Sequence, residues 1–222
     1  MNTNLVIIPT RSRPHNAERA IKQLQEFSVI SDLMLAIDDD DEANYPRLDG
    51  VIYEVNPRLR MNGTLNLVAN RYARKYKTIS FLGDDHMVRT EAWDEKLYAP
   101  IEERGYGLAY GNDLFQGENL PTAVMQSTNI IRTLGYFSPP KLVHMYMDNY
   151  WKKLGQCIDA LFYKEDVIIE HMHYLIGKST VDDGYLEVNN DSIYQKDHDT
   201  FVEYLDKEFP TELNKVLDNL KI

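Results

Sequence analysis

The stretch Thr78–His86 reads TISFLGDDH, a short apolar run that ends in two carboxylates and an imidazole. Such a run is typical of a strand buried in a parallel sheet. Two adjacent carboxylates directly after a buried strand repel each other and lose hydration unless a cation is present. Their oxygen atoms suit Mg²⁺ or Mn²⁺, and the neighbouring histidine favours Mn²⁺. The stretch predicts a metal site at a strand end, and a solvated turn with an aspartate helix cap is the alternative.

Three similar apolar runs precede this stretch, and helical patterns lie between and after the runs. The runs are Leu5–Pro9, Leu33–Ile37 and Val51–Val55, and helices are expected at residues 14–27, 64–77 and 91–104. This alternation predicts an α/β fold with a mainly parallel central sheet flanked by helices. In such a sheet, ligands bind at the carboxyl ends of the strands.

The second half of the chain is less regular. It predicts short strands at residues 107–111, 122–125 and 167–170, helices at 127–134 and 146–154, and a helical C-terminal tail with a break at Pro210. We expect one domain at residues 1–180 and an acidic helical appendage, residues 181–222, packed on it.

Charge and cysteine content exclude several classes of protein. The net charge is −11, and residues 182–222 hold 11 acidic residues against 4 lysines, which argues against nonspecific binding to duplex DNA. The single cysteine, Cys157, excludes an internal disulfide and a multi-cysteine metal site. The sequence shows neither a signal peptide nor an apolar stretch of about 20 residues, so we expect a cytoplasmic protein without a membrane span.

Polar side chains follow the other predicted strands. Arg11 and Arg13 follow the first strand, and Arg58 and Arg60 follow the third; their guanidinium groups suit phosphate oxygens, although each is also an ordinary surface residue. The acidic run 38–42 follows the second strand. Three interpretations are open for it: a cation site, a hydrogen-bond acceptor for a ribose or base, or a solvated loop. The chain has neither a P-loop nor a Gly-x-Gly-x-x-Gly motif, which argues against a P-loop kinase and a dinucleotide-dependent dehydrogenase.

Four segments together resemble the GT-A glycosyltransferases, in particular the family 2 type and small phage-encoded relatives. The segments are Leu5–Arg13 (LVIIPTRSR), Leu35–Asp39 (LAIDD), Asn62–Asn70 (NGTLNLVAN) and Ile79–His86 (ISFLGDDH). The resemblance extends over roughly residues 4–175. It implies a GT-A fold and a nucleotide-sugar donor, with a UDP-sugar as the first expectation.

The resemblance also implies roles for individual residues. It assigns donor binding to Pro9, Thr10, Arg11, Arg13, Asp38, Asp39, Arg60, Gly63 and Asp84, and metal binding to Asp85, His171 and His173. Asp148, in the segment 144–151, corresponds to the catalytic base of inverting enzymes. The chain departs from the family where Gly83 replaces the first aspartate of the metal motif and His86 replaces a trailing one. The alternatives are a helix N-terminal role for Asp148 and structural roles for the histidines.

The sequence thus predicts a hexosyl- or pentosyltransferase that uses Mn²⁺ or Mg²⁺. Its acceptor would be a hydroxymethylated base in phage DNA, which implies a host-cytoplasmic enzyme and DNA modification, or a glycan. Three alternatives remain: a nucleotidyltransferase, a metal-dependent phosphodiesterase or nuclease, and a non-catalytic nucleotide-sugar-binding module.

Overall fold

Eight strands form one sheet in the computed structural model, which describes residues 3–179, Leu186 and residues 191–221. The strands are β1 (Asn4–Thr10), β2 (Ser31–Asp38), β3 (Val51–Asn56), β4 (Thr78–Phe81), β5 (His86–Val88), β6 (Leu108–Asn112), β7 (Val124–Ser127) and β8 (Leu161–His171). Their order across the sheet is β3-β2-β1-β4-β7-β6-β8-β5. The first four in this order are parallel, as is the β6–β8 pair, whereas β7 runs antiparallel to β4 and β6, and β5 antiparallel to β8. The predicted α/β fold is confirmed, with a mixed sheet.

Seven α-helices within the described residues cover the sheet. They are α1 (Pro14–Phe27), α2 (Arg60–Tyr72), α3 (Trp93–Arg104), α4 (Thr128–Leu134), α5 (Met147–Cys157), α6 (Asp191–Lys207) and α7 (Phe209–Leu220). In this part of the chain, every helix is too short or too polar to cross a lipid bilayer.

The apolar run of β1 serves both faces of the sheet. Leu5 and Ile7 pack into a core that is shared with α2, α4 and α5, whereas Val6 and Ile8 pack against α1 and α3. Successive side chains of a strand point to opposite faces, so a strand covered on both sides is apolar at every position. This explains why the run shows no alternation of polar and apolar residues.

The parallel strands end at one edge of the sheet. In the register of the pairings, Thr10 lies opposite Ile37, Asp38 opposite Asn56, and Ile7 opposite Phe81. The residues that follow β1, β2 and β4 are therefore neighbours in space, although they are distant along the chain.

Two strands differ from the sequence-based expectation. β8 begins at Leu161 rather than near residue 167, with an irregular register against β6 between Gly111 and Asn112. β5 has only three residues and is absent from the sequence-based prediction, because a strand this short shows no periodicity. It pairs with the end of β8, and this pairing places His171 of β8 opposite His86, shortly after the end of β4.

The last two helices share the main core. Phe201 and Tyr204 of α6 and Val216 of α7 belong to the same buried apolar cluster as β1 and α5. The Tyr204 hydroxyl lies 3.1 Å from that of Tyr136 and donates to Glu212 at 2.8 Å. α7 begins with Pro210 in its first turn, where proline is tolerated. The expected boundary between residues 180 and 181 lies outside the described residues, so the division into domain and appendage stays a prediction.

Candidate active site

The turn between β4 and β5 carries Asp84 and Asp85 and depends on the glycine before them. The Gly83 amide donates to His86 Nδ1 at 3.0 Å. A Cβ atom at residue 83 would lie 2.6 Å from Asp85 Oδ1 and 2.9 Å from His86 Nδ1. The two side chains therefore fill the space that a larger residue at position 83 would need.

Strand pairing brings a second histidine to the same place. His86 of β5 lies directly opposite His171 of β8, and the two rings stack with centroids 4.3 Å apart. The Asp85 carboxylate bridges them, with Oδ1 3.4 Å from His86 Nδ1 and Oδ2 3.6 Å from His171 Nε2. One ligand atom from each of the three residues lies within 4.8 Å of the others. These three residues could hold a metal ion, and we call them the metal cluster.

The chemistry of the metal cluster fits a divalent cation. His86 Nε2 and His171 Nδ1 are buried and have no hydrogen-bond partner within the described part of the chain. Burial tends to raise the pKa of Asp85, but the adjacent imidazoles of His171 and His86 outweigh burial and hold the pKa well below its usual value. Burial lowers the pKa of His86. An ionised carboxylate and a neutral imidazole are the protonation states that bind a metal.

Asp84 faces the end of β1 instead. Its carboxylate accepts from the Thr10 hydroxyl at 2.7 Å and from Arg13 Nη1 at 3.4 Å. Burial and the neighbouring charge of Asp85 raise the pKa of Asp84 to about 6. Asp84 thus ties the loop after β1 to the loop after β4, beside the metal cluster.

Asp38, at the end of β2, lies next to two of the arginines that the sequence analysis considered for phosphate binding. Arg11 Nη1 donates to Asp38 Oδ2 at 2.9 Å, and Arg58 Nε lies 3.8 Å from the same oxygen. Burial raises the pKa of Asp38, and the hydrogen bond from Arg11 opposes this rise. The neighbouring Asp39 is exposed in the turn, and its amide donates to the carbonyl of Asn56. Positive and negative groups alternate along this part of the edge.

Three further donor-side residues lie at the same end of the sheet. Pro9 is half-buried in β1, and Arg60 is the exposed first residue of α2, with a φ of 62°. Gly63 lies in the first turn of α2, where a Cβ atom would be 2.9 Å from the Leu59 Cβ. Glycine therefore keeps the start of this helix close to the preceding loop.

Asp148 lies half-buried in the first turn of α5. Its Oδ1 accepts from the Asn149 amide at 2.9 Å. Burial raises the pKa of Asp148, and the hydrogen bond from the Asn149 amide opposes this rise. Four residues earlier, burial lowers the pKa of His144 to about 4, against the charges of Asp197 and Asp85. Trp151, one turn later in α5, contacts Phe81 of β4 with ring centroids 5.6 Å apart, and the Phe81 ring lies edge-on to His86 at 6.4 Å, so α5 packs beside the metal cluster.

His173 lies next to the metal cluster but not in it. Its ring stacks on Phe115 with centroids 5.4 Å apart and meets the His171 ring edge-on at 4.9 Å. His173 Nδ1 accepts from the Leu175 amide at 3.3 Å. Of the three predicted metal ligands, Asp85 and His171 are therefore brought together, and His86 completes the group instead of His173.

Asp113 supports this site, and the sequence analysis missed it. Its buried Oδ1 accepts from the amides of Phe115, Gln116 and Gly117 at 2.7–2.9 Å, and Oδ2 accepts from the Thr122 hydroxyl. Burial raises the pKa of Asp113, but these hydrogen bonds, those of Gly117 and Phe115 first, outweigh it and lower the pKa. The Asp113 carbonyl also accepts from the His171 amide at 3.0 Å. The glycine four residues after this aspartate is the one sequence signal of a tight turn here.

The mixed sheet and the polar groups after β1, β2 and β4 define a protein with the GT-A fold of nucleotide-sugar transferases. No protein-family model matches the chain, and no curated protein matches it. Solved structures do match. The mannosyltransferase PcManGT from Pyrobaculum calidifontis, in complex with GDP-Man and Mn²⁺, aligns over 98% of this chain and 74% of that one, with a TM-score of 0.57 and 10% identity.

Two other solved structures share the fold. Glucosyl-3-phosphoglycerate synthase from Mycobacterium tuberculosis, in complex with Mn²⁺, UDP and phosphoglyceric acid, aligns over 88% of this chain and 77% of that one, with a TM-score of 0.58 and 15% identity. S. aureus TarS aligns over 76% of this chain but 36% of its own, with a TM-score of 0.55 and 11% identity. The chain thus spans about a third of the length of TarS. The common feature at these identities is the fold.

Proposed function

We propose that this protein is a metal-dependent glycosyltransferase that moves a sugar from a nucleotide-diphosphate sugar to an acceptor hydroxyl. The observation that carries the proposal is the metal cluster of Asp85, His86 and His171, which follows β4 at the ligand-binding edge of a GT-A fold. A bound cation would offset the cost of burying the Asp85 carboxylate between two imidazoles.

The cation would be Mn²⁺ or Mg²⁺, and the two imidazoles favour Mn²⁺. When bound, the ion would offset the negative charge of the leaving nucleotide diphosphate. Asp85 contributes the anionic oxygen, and the two histidines contribute neutral nitrogen ligands. His173 belongs to the surrounding shell, where its ring holds Phe115 against the histidines.

The donor would lie along the edge formed by the ends of β1 and β2 and the start of α2. We assign the donor contacts to Pro9, Thr10, Arg11, Arg13, Asp38, Asp39, Arg60, Gly63 and Asp84. The arginines near this edge already neutralise Asp38 and Asp84. A diphosphate that binds here would take over part of these ion pairs, because guanidinium groups bind phosphate oxygens well. We propose a UDP-sugar as the donor.

Asp148 is the proposed catalytic base. Its half-buried position raises its pKa, which increases its affinity for a proton and suits a base that acts near neutral pH. Asp148 would accept the proton of the acceptor hydroxyl as that oxygen attacks the anomeric carbon, with inversion of configuration. The base and the metal cluster would then lie on opposite sides of the reacting carbon.

For the acceptor we propose the hydroxyl of a glycan. The net charge of −11 disfavours a polyanionic acceptor, so a hydroxymethylated base in phage DNA is the second choice. Parallel transfer assays with oligosaccharides and with hydroxymethylated DNA would distinguish the two. Incorporation of labelled sugar into the DNA alone would overturn the glycan assignment.

The first experiment is a calorimetric titration with UDP, GDP and CDP, each with and without Mn²⁺. The variants are wild type, Asp85→Ala and the control Asp166→Ala, which removes an exposed carboxylate from the same strand as His171. We expect Mn²⁺-dependent binding of one nucleotide in wild type and in the control, and its loss in Asp85→Ala. Absence of nucleotide binding in wild type, both with and without Mn²⁺, would refute the glycosyltransferase proposal and favour the phosphodiesterase alternative, which hydrolyses its substrate without a nucleotide sugar.

A further inference from the structure

The segment before α5 is attached to the C-terminal helix α6 by a single carboxylate. Asp197 Oδ1 accepts from the Val143 amide at 3.0 Å, and Oδ2 accepts from the amides of His144 and Met145, each at 2.8 Å. Asp197 is completely buried. Three consecutive amides are therefore fixed by one side chain that is more than 50 residues away in the sequence.

A second helix fixes the same segment from the other side. The Asn62 side chain of α2 donates to the carbonyls of Pro139 and Leu142, at 2.8 and 2.7 Å. The Asn62 amide donates to the Val143 carbonyl at 3.3 Å. The segment is thus clamped between α2, which begins at the donor edge, and α6.

Aromatic packing continues this attachment to the first residue before α5. The Tyr146 ring stacks on Phe201 of α6, with centroids 5.5 Å apart, and has a tilted contact with Tyr194 at the same distance. Tyr146 has a φ of 66°, an unfavourable conformation for a non-glycine residue that its surroundings must hold in place. The direction in which α5 starts is therefore set by contacts with α6.

The clamped segment leads into α5, which packs beside the metal cluster. The segment contains His144 and precedes Asp148, and Trp151 of the same helix contacts Phe81, whose ring lies edge-on to that of His86. A shift of this segment would move both side chains relative to Asp85 and the two histidine ligands. The residues after β4 and β1 have no hydrogen bond to Asp197 among the bonds of the described residues.

We propose that Asp197 is a positioning residue, which holds residues 143–145 and so places Asp148 for proton transfer. The inference rests on the proposed function, because it assigns Asp197 to the acceptor half of the reaction. A carboxylate accepts all three amides, whereas an alanine leaves three inward-facing N–H groups without an acceptor. Asparagine keeps one acceptor oxygen but turns an NH₂ group towards N–H donors.

The test compares wild type with Asp197→Asn, Asp197→Ala and the control Asp199→Ala. Asp199 lies on the same helix, is exposed, and bonds only to side chains of α6 among its hydrogen bonds in the described residues. Three quantities are measured: Mn²⁺-dependent UDP binding, amide hydrogen exchange of residues 143–145, and the kcat and KM for turnover of a UDP-sugar.

We expect both Asp197 variants to exchange these amides faster, to bind UDP within about twofold of wild type, and to lose about 10- to 100-fold in kcat with little change in donor KM. The control should match wild type in all three. If Asp197→Ala does not fold, the positioning proposal is tested with Asp197→Asn, which conserves the side-chain volume.

Two results would overturn the proposal: faster exchange with an unchanged kcat, or a parallel loss of UDP binding and kcat that indicates general damage. Wild-type binding and turnover are measured first. A failure of the glycosyltransferase proposal is then visible in the unaltered protein, whereas a failure of the positioning proposal is visible only in the variants.

Discussion

Replacement of Gly83 tests whether the metal cluster depends on the absence of a side chain at that position. The resemblance to GT-A enzymes suggests that an aspartate at residue 83 would improve the metal motif. The structure predicts the opposite, because any Cβ there would lie 2.6 Å from Asp85 Oδ1 and 2.9 Å from His86 Nδ1. Both Gly83→Ala and Gly83→Asp should therefore weaken metal binding.

The magnitude follows from how little these neighbours can yield. The closer contact is about 1 Å shorter than the optimal separation of roughly 3.5–4.0 Å between non-bonded atoms. His86 has little freedom to move, since it is 4% exposed, stacks on His171, and accepts the Gly83 amide. The strain would fall on Asp85 and His86, which are two of the three proposed ligands. Mutation of a residue that orients the metal ligands typically lowers the metal affinity by about 10- to 100-fold, which corresponds to about 1.4–2.7 kcal/mol of binding free energy.

The assay is a titration of the protein with Mn²⁺. Binding is measured by calorimetry or by the electron paramagnetic resonance signal of the free ion. Gly105→Ala is the control, because Gly105 has a φ of 85° and a Cβ atom there would have no described neighbour within 4 Å, so alanine strains the backbone without touching any ligand. We expect Gly105→Ala to lower the melting temperature and to keep the Mn²⁺ affinity. Wild-type or tighter affinity in Gly83→Ala would refute the reasoning and assign the metal to other groups.

Two further predictions concern the histidines and the supporting aspartate. His171→Ala should lose Mn²⁺ binding in the same titration, whereas His173→Ala should stay within about threefold of wild type, since its support is indirect; equal losses would make both residues ligands. Asp113→Asn should reduce the free energy of unfolding by about 2 kcal/mol near neutral pH, because it replaces an ionised acceptor of four part-buried donors. The hydrogen bonds lower the pKa of Asp113 below its usual 3.8, so its contribution is complete above that pH and declines as the pH falls through the lower, folded-state value. Urea unfolding between pH 2.5 and 7, as a rough range suited to carboxylate titration, should therefore show the two proteins converging in acid, and a constant difference would contradict the assignment.

Much of the fold can be read from the sequence because apolar patterning is a local property. The runs at Leu5–Pro9 and Leu33–Ile37 and the helix at residues 14–27 appear in the structure close to their predicted bounds. The carboxyl ends of the strands then locate the polar loops without further information. Asp85 stands out in the sequence for this reason, and it lies in the metal cluster.

The complete ligand set cannot be read in this way, because it depends on a pairing between distant segments. His86 and His171 meet only through β5, whose three residues carry no periodic signal. The spacing of His171 and His173 does not distinguish the two residues, since alternate residues of a strand share a face. The strand β8 ends at His171, so His173 lies beyond the last paired residue.

The supporting aspartates escape sequence analysis for a different reason. Asp113 and Asp197 bind backbone amides, and every residue except proline offers such an amide, so no complementary pattern marks the partner segment. Both lie among many other acidic residues in a chain with a net charge of −11. Only burial separates them from solvated carboxylates, and burial is a property of the tertiary structure.

The two departures from the expected metal motif are one structural feature. Gly83 lacks the side chain that would collide with His86, and its amide donates to the ring nitrogen of that histidine. His86 in turn stacks on His171 and brings an imidazole to the carboxylate of Asp85. In the proposed metal site, His86 at the last position of the motif would thereby replace the ligand that is missing at the first position. Because this replacement needs the glycine, we expect Gly83 to be required for metal binding, whereas the motif alone would suggest a degraded site.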